Sequence, residues 1–256
     1  MVRLADITWT DAEKHFEKTD LVLMPIGATE QHGPHSPLGT DCLTAEKVSD
    51  TIGEQTDTLV LPVIPVGISD HHRQFPGTLW VPPQVFREYI KAVALSIASH
   101  GVRKIVLVNG HGGNTNALYE VCEELRREHN IFAVIVHSYT PKMDGHAGAD
   151  ETSIALYLKP ETVKMDRAAD TVINKEVAGI QIRGNDKLGP ALFPRDIIDL
   201  SDTGIYGGAG KTIKASDATA ERGEKLLKPH VEKIVKFVYE LKSTDINKLL
   251  SKKKHK

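Results

Sequence analysis

Residues 21–41 have the sequence LVLMPIGATEQHGPHSPLGTD, an apolar run that ends in a polar segment rich in glycine and proline. The run 21–26 is continuously apolar rather than alternating, which is typical of a strand buried on both faces of a parallel sheet. Three later runs of the same character predict further strands at 59–64, 105–108 and 132–136. The opening stretch therefore predicts the first strand of a parallel sheet, with a polar loop at its carboxyl end.

The segments around these runs show helical periodicity. Between the runs, helices are predicted at 44–54, 85–99 and 115–129; later, a short helix is predicted at 152–158, an irregular Gly- and Asp-rich stretch at 179–210, and a long amphipathic helix at 218–241. Strands that alternate with helices predict an α/β fold with a mainly parallel sheet. Because no Pro/Ser-rich linker divides the chain, we expect one domain over 1–245 and a basic, solvated tail over 246–256.

The composition excludes several classes of protein. The 256 residues carry a net charge of −2, which rules out strong electrostatic attraction to nucleic acid or to an anionic membrane. No apolar run approaches the roughly 20 residues of a membrane span, and the N-terminus lacks the apolar core of a signal peptide. The two cysteines, Cys42 and Cys122, lie in predicted helices and exclude a disulfide scaffold, so a cytoplasmic protein is expected.

Ionisable residues follow the first predicted strand. Glu30 and His32 are two residues apart, so in extended backbone they project to the same side, and Asp41 follows nine residues after His32. Carboxylate, imidazole and carboxylate at one strand end favour a site for a divalent ion. For Asp41 the alternative is a helix N-cap, since it precedes an amphipathic run.

The third and fourth strands end in similar clusters. NGHGGN at 109–114 leaves His111 among three glycines, which favours a ligand or catalytic role, whereas a tight turn with Asn114 as helix cap explains only part of the motif. After the fourth strand come His146 and Glu151, and Glu151 could instead be a first-turn carboxylate that stabilises the helix dipole. Ligands of open α/β sheets bind beyond the carboxyl ends of the strands, where all three clusters lie.

Taken together, these motifs resemble the creatininase (creatinine amidohydrolase) family. The matching segments are TEQHGPH at 29–35, GTD at 39–41, FPGT at 75–78, NGHGGN at 109–114 and HAGADETS at 146–153, with GIYG at 204–207 and ATAERG at 218–223. The resemblance covers about 20–158 and 202–223. It implies a three-layer α/β/α fold, hydrolysis of a C–N bond in a small amide substrate, and assembly as a homohexamer.

The resemblance also implies a centre with two divalent ions. Glu30 would bind one ion, His32 and His111 the other, and Asp41 would bridge both. Creatinine-hydrolysing members carry a tyrosine and a metal-binding glutamate where this chain has Gly112 and Gly113. The nearest substitute is Glu151, which is predicted as a metal ligand and as a catalytic residue.

Further roles follow from the same resemblance. His146 would be the catalytic acid/base, and His72, Gly112, Gly113 and Asn114 would contact substrate. Two ions that share a water lower its pKa, so a bridging hydroxide is expected to attack the amide carbonyl. Mixed nitrogen and oxygen ligands do not discriminate zinc, manganese and iron(II).

The substrate stays open between two amide-cleaving branches of the family. Creatinine itself is disfavoured, because Gly112 replaces the tyrosine and the only tryptophans, Trp9 and Trp80, lie far in sequence from the last motif. The NGHGGN form is similar to the formylamino-pyrimidine ribonucleotide deformylase and to the peptidase that trims a cofactor-precursor peptide. A phosphate-bearing substrate needs basic contacts, and the candidates form no decisive pattern: Arg73, Lys142, Arg183 and Lys187.

Two hypotheses from other functional classes are alternatives to an amidohydrolase. A non-catalytic metal-binding regulator would keep the ligands without the acid/base residue, and His146 argues against it. A nucleotide-binding loop at 110–113 lacks the required Gly-x-Gly-x-x-Gly spacing.

Overall fold

Four parallel strands form the central sheet of the protein. The structure, a computed structural model, describes residues 3–140 and 143–250, so Lys142 and the basic run 252–256 lie outside the described residues. The strands pair in the order β2-β1-β3-β4, and their bounds are β1 Leu21–Ile26, β2 Leu59–Val60, β3 Lys104–Asn109 and β4 Phe132–His137. The predicted parallel sheet is confirmed.

Strand β2 is shorter than predicted, since the expected run reached residue 64. Leu61 still donates its N–H to the carbonyl of Leu23, but the next bond to β1 is from Ile64 to Pro25. Pro62 has no N–H, and one extra residue is accommodated before the pairing resumes. Periodicity alone did not reveal this break, because prolines inside an apolar run leave its hydrophobic character unchanged.

Helices cover both faces of the sheet and give the expected three layers. Their bounds are α1 Trp9–Phe16, α2 Thr40–Thr56, α3 Pro83–Ala98, α4 Thr115–Glu128, α5 Ala149–Leu158, α6 Ala220–Ser243 and α7 Ile246–Leu249. On one face α3 and α4 pack against Val22 and Met24, and on the other α2 and α6 pack against Leu21 and Leu23. Every residue of β1 and β3 is buried, which explains their continuous apolar character.

Short antiparallel strands lie within and beside the segment 179–210 that was predicted as irregular. A ribbon pairs β5 Asp170–Val172 with β10 Thr212–Lys214; between them a four-stranded sheet is formed by β6 Glu176–Val177, β7 Ile180–Arg183, β8 Lys187–Leu188 and β9 Ala191–Leu192. Strands of two to four residues are too short for a periodic signal, so the expectation of irregular structure was wrong at β7, β8 and β9, whereas residues 193–210 form no strand.

The structure adds one helix near each end of the described residues. Helix α1 was not predicted, and α7 lies in the segment assigned to the tail. Leu249 of α7 packs against the sheet face covered by α6, and its carbonyl accepts a hydrogen bond from Arg126, so the predicted tail does not begin at residue 246. Among the described helices, none has the length and apolarity that crossing a bilayer requires.

Candidate metal centre

The clusters predicted from the sequence meet at the carboxyl ends of β1, β3 and β4. Glu30 and His32 follow β1, His111 follows β3, and His146 and Glu151 follow the loop after β4. They line or underlie a cavity of about 700 Å³, and a larger groove of about 1070 Å³ between α1 and α3 holds none of them. The strand-end rule therefore located the centre.

Asp41 joins the residues from the first and third strands. It lies in the first turn of α2, whose N-cap is Gly39 and has no side-chain capping bond, so the alternative role of Asp41 as N-cap is not observed. Its Oδ1 is 3.1 Å from His32 Nε2, and its Oδ2 is 3.2 Å from His111 Nδ1. One carboxylate thus spans two imidazoles.

Close backbone packing brings Asp41 to this position. A Cβ atom at Gly110 would collide with the carbonyl of Asp41, so only glycine lets the end of β3 approach the start of α2 so closely. After β1, Glu30 donates its N–H to the carbonyl of Leu38, which closes the loop between strand and helix.

Ligand atoms form three overlapping groups that could each hold a metal ion. The groups are Glu30, Asp41 and His111; His32, Asp41 and Glu151; and Glu30, His32 and His146, with ligand atoms within 4.8 Å of one another in each. The first two share Asp41, as a bridging carboxylate would. The grouping differs from the division that the resemblance implies, because His111 lies with Glu30 rather than with His32.

Gly113 has no space for the glutamate found in creatinine-hydrolysing relatives. A Cβ atom there would lie 2.5 Å from the carbonyl oxygen of Ile68 and would collide with His111 Nε2. His111 Nε2 is hydrogen-bonded at 2.9 Å to that same carbonyl, which directs Nδ1 toward Glu30 and Asp41. Any additional carboxylate must therefore come from another segment.

The position of Glu151 is compatible with a metal ligand and with a carboxylate that stabilises the start of its own helix. Its Oε2 accepts a hydrogen bond from the backbone N–H of Ala147, which precedes α5, and lies 3.7 Å from His32 Nε2. The N–H bond leaves the side chain pointing at the centre rather than into solvent. Glu151 is thus close to His32 and Asp41, and its hydrogen bond with Ala147 also stabilises the turn before α5.

His146 presents one ring nitrogen to the centre. Its Nε2 is 2.8 Å from the carbonyl oxygen of Gln31, an arrangement in which Nε2–H donates and Nδ1 is left with a lone pair. Nδ1 is 3.8 Å from both Glu30 Oε1 and Glu151 Oε2. A lone pair in that position can accept a proton or bind an ion.

Two of the residues predicted to contact substrate have other surroundings. His72 is fully buried, with Nδ1 2.7 Å from Gln31 Nε2 and Nε2 3.6 Å from Glu30 Oε1, so it lies beneath the carboxylate rather than on the cavity. Asn114 is fully buried and binds Ile68 N–H and the Gly27 carbonyl, both at 3.0 Å, without capping α4. Their side chains hold loops in place and do not face the cavity.

Gly112 and Gly113, which were predicted to contact substrate, line the cavity. The space beside Gly112 is bounded by Tyr139, whose hydroxyl oxygen would be 3.6 Å from a Cβ atom at that glycine. Burial raises the pKa of Tyr139 to about 12, so its hydroxyl stays protonated. Sequence analysis did not identify Tyr139, because it follows β4 without a motif around it.

The electrostatics of the centre are dominated by buried carboxylates. Burial raises the pKa of Glu30, but attraction to His111 and His146 together outweighs it and the pKa is lowered; at Asp41 burial also raises the pKa, and His32 and His111 together hold it below its usual range. For His32, burial lowers the pKa, yet Asp41 and Glu151 raise it well above 6.5. The cluster therefore attracts positive charge, and protons supply it when no metal is bound.

Unpartnered atoms show that these residues fit a metal. Glu30 Oε2 and Asp41 Oδ2 are buried and make no hydrogen bond with the described residues; the contact of Asp41 Oδ2 with His111 lacks hydrogen-bond alignment. A buried anionic oxygen without a partner is costly. Oxygen and imidazole nitrogen atoms that converge in this way are suitable ligands for a divalent ion.

The C-terminal motifs support the loop that carries His146. The backbones of His146 and Tyr206 are paired by two hydrogen bonds of 2.8 and 3.2 Å, and the Tyr206 ring stacks on the imidazole at 5.0 Å. Gln31 Nε2 donates to the carbonyl of Gly204 at 3.0 Å. The GIYG segment at 204–207 thus holds His146 and Gln31 in position.

A second C-terminal motif fixes the start of α5. Arg222 Nε donates to Asp150 Oδ1 at 2.8 Å, and Asp144 accepts hydrogen bonds from the N–H groups of Ala149 and Asp150. A Cβ atom at Gly223 would collide with the Ser153 carbonyl, so α6 crosses α5 in direct backbone contact. The ATAERG segment therefore positions α5, whose first turn carries Glu151.

A sequence model of the creatininase family, described as creatinine amidohydrolase, matches residues 5–238. The chain belongs to the creatininase family. It is 34% identical over 216 residues to the mycofactocin precursor peptide peptidase of Mycolicibacterium smegmatis, a match covering 80% of this chain and 79% of that protein. It is 27% identical over 268 residues to the creatinine amidohydrolase of Pseudomonas putida, covering 93% and 96%.

Solved creatininases share the fold. A creatininase crystal structure matches with a TM-score of 0.78 and 24% identity, covering 95% of this chain and 99% of that one. Others include a mutant of Zn–Zn type and a manganese form, each with a TM-score of 0.74 and 25% identity; they cover 94% and 95% of this chain and 98% and 99% of theirs. The predicted family, the α/β fold and the class of C–N hydrolase are confirmed.

Proposed function

We propose that this creatininase-family chain binds two divalent ions and hydrolyses an amide bond of a small, peptide-like substrate. The observation that carries the proposal is the position of Asp41, whose two oxygens lie 3.1 and 3.2 Å from two different imidazoles. Glu30 and His111 would complete one ligand set with Asp41, and His32 and Glu151 the other. Zinc, manganese and iron(II) all suit this donor set.

Bound ions would supply Lewis acidity, which lowers the pKa of water and polarises an amide carbonyl. The chain's own residues would provide positioning and proton transfer. His146 would accept a proton at Nδ1 and pass it to the leaving nitrogen, because its Nε2–H is held by the Gln31 carbonyl. Tyr206 stacks on the ring and prevents it from turning away.

The preference for a peptide-like substrate rests on the cavity and on one relative. Gly112 leaves the cavity wall open, and Trp9 and Trp80 lie outside the cavity, so these tryptophans do not close over a small ring. The relative that is 34% identical is a precursor peptide peptidase. An open wall suits an extended amide better than creatinine.

We also propose that the chain assembles with copies of itself, as a hexamer by family resemblance. In the single chain, large apolar side chains of the antiparallel strands are exposed, including Val172 (64%), Ile180 (50%) and Leu192 (78%). Exposed apolar patches of this kind mark interaction surfaces. Sedimentation equilibrium measures the assembly directly, and a monomer at micromolar concentration would contradict this proposal.

The proposed activity is tested by metal analysis followed by a hydrolase screen. Elemental analysis of the purified protein should give close to two divalent ions per chain. Chelation should abolish hydrolysis, and zinc, manganese or iron(II) should restore it, in a panel of short peptides, formamides and lactams. A protein that holds no tight metal and gains no activity with any of the three would refute the proposed function.

A further inference from the structure

The cavity contains a cation that the proposed chemistry does not use. Arg195 lines the same cavity as Glu30, Asp41, His111 and Glu151. It follows the antiparallel sheet β6–β9, and its backbone N–H donates to the Phe193 carbonyl at 2.8 Å. The sequence did not single out this residue among the basic candidates.

Arg195 has no counter-ion within the described parts of the chain. Its Nε is buried and lacks a hydrogen-bond partner there. The adjacent carboxylate of Asp196 is already bound by Arg73, at 2.6 Å between Nη1 and Oδ1, and by Gln74. A buried donor of a guanidinium without a partner is unfavourable unless a ligand provides one.

The guanidinium is held against the ring of Tyr206, which stacks on the proposed proton-transfer residue. Its central carbon is 5.1 Å from the centre of the Tyr206 ring, which in turn stacks on His146 at 5.0 Å with an angle of 22° between the rings. Cation–π contact fixes the position of the guanidinium but leaves its N–H donors free. Tyr206 therefore contacts both Arg195 and His146.

We propose that Arg195 binds an anionic group of the substrate, a carboxylate or a phosphate, close to the amide that is cleaved. This inference rests on the proposed function, because it takes the carboxylate cluster as the reacting centre. Three carboxylates repel an anionic substrate, whereas arginine offers a permanent charge and two parallel donors. An extended chain spans about 3.3–3.6 Å per residue, so the anion lies within about three residues of the scissile bond.

The test compares three formamides on the metal-loaded protein by calorimetric titration. They are N-formylglycine, which carries a carboxylate; N-formylglycinamide, which is neutral; and N-formyl-O-phosphoethanolamine, which carries a phosphate. Wild type should bind at least one anion about 10- to 100-fold more tightly than the neutral amide. The tighter of the two anions identifies the source of the charge in the substrate.

Variants assign that preference to Arg195. In Arg195→Gln the preference should fall to about one, and Arg195→Lys should keep part of it, since lysine retains the charge but not the paired donors. Arg183→Gln, which changes an exposed arginine of the same sheet outside the cavity, should behave as wild type. Metal content and thermal midpoint are measured for each protein to exclude misfolding.

Two results overturn the inference. One is an anion preference that persists in Arg195→Gln, which would mean that the metal ions hold the anion. The other is a wild-type protein with two ions and no preference. A protein without bound metal refutes the proposed function instead, and the same titrations on that metal-free protein still decide whether Arg195 binds the anion.

Discussion

The cavity has two walls that are built in different ways. The strand-end wall comprises Glu30, His32, Asp41 and His111, all at most 4% exposed, and its imidazole–carboxylate distances are 3.1–3.2 Å. The C-terminal wall comprises His146, Glu151, Arg195 and Tyr206. The side chains of His146 and Glu151 are 10% and 16% exposed, and His146 Nδ1 is 3.8 Å from both Glu30 and Glu151.

The difference reflects what fixes each wall. The strand-end wall is attached to parallel strands whose hydrogen bonds fix their register, so its ligands converge tightly. The C-terminal wall depends on loop contacts such as those of Tyr206 with His146 and of Arg222 with Asp150. We infer that the first wall holds the ions together with Glu151, and that the rest of the second wall moves protons and selects the substrate.

The largest expected effect comes from breaking the strand-end wall at Asp41. Asp41→Asn removes the charge shared by both ligand sets, so metal affinity should fall by more than the 10–100-fold typical of losing an outer-shell partner. Activity should disappear with the metal. Asp50→Asn is the matched control, because Asp50 is a buried aspartate of the same helix that pairs with Arg3. Equal metal content in both variants would show that Asp41 is not a ligand.

A change in the C-terminal wall should separate turnover from metal binding. His146→Asn should keep both ions and lower the rate constant of hydrolysis by about 10²–10⁴-fold, the range for loss of a general acid or base. The measurements are metal content and single-turnover rate. Loss of metal would identify His146 as a ligand. That outcome would agree with the proximity of its ligand atom to those of Glu30 and His32.

Glu151 links the two walls and should show an intermediate effect. Glu151→Gln retains an oxygen that can accept the Ala147 N–H but removes the charge 3.7 Å from His32. Affinity for one of the two ions should fall by about 10–100-fold, with little change in thermal stability. Metal titration monitored by calorimetry resolves the two ions. Unchanged affinity for both would leave Glu151 with a structural role alone.

Lowering the pH should stabilise the metal-free fold but weaken metal binding at the strand-end wall. Burial lowers the pKa of His111, but Glu30 and Asp41 raise it well above 6.5, as Asp41 and Glu151 do for His32. These raised values stabilise the metal-free fold below about pH 6.5, and the contribution is lost as pH rises through them. Ions must displace the protons, so metal affinity should weaken as pH falls, by up to about tenfold per pH unit for each proton.

Two measurements check this prediction. Urea unfolding of the metal-free protein should show a falling free energy of unfolding above neutral pH, and calorimetry in buffers of different ionisation enthalpy should detect proton release on metal binding. Metal affinity that does not vary between pH 6 and pH 8 would contradict the assignment of His32 and His111 as ligands.

The smallest effect is expected at the support of the C-terminal wall. Arg222→Gln leaves the buried Asp150 without its cation, but the Arg222 side chain is 39% exposed, so the loss of unfolding free energy should be about 1–2 kcal/mol. Metal content should not change. Arg87→Gln, which removes an ion pair on the surface of α3, should cost less than about 0.5 kcal/mol. Chemical denaturation compares the two variants.

The sequence by itself determined the parallel sheet and the strand-end wall. Continuous apolar runs predict buried strands, and in a parallel sheet the carboxyl ends of those strands lie at one edge. Glu30, His32 and His111 therefore had to approach one another once the strands paired. Asp41, His146 and Glu151 follow the first and fourth predicted strands, and the structure also brings them to this edge.

Only the tertiary structure decided the rest of the cavity. Gln31 reaches His146 and Gly204 across 115 and 173 residues, and Arg195 follows strands of two to four residues that carry no periodic signal. The structure also decided that His111 groups with Glu30 and that His72 and Asn114 face away from the cavity. The direction of a side chain on a loop depends on long-range contacts that cross the fold, whereas the direction along a strand follows from its two-residue repeat.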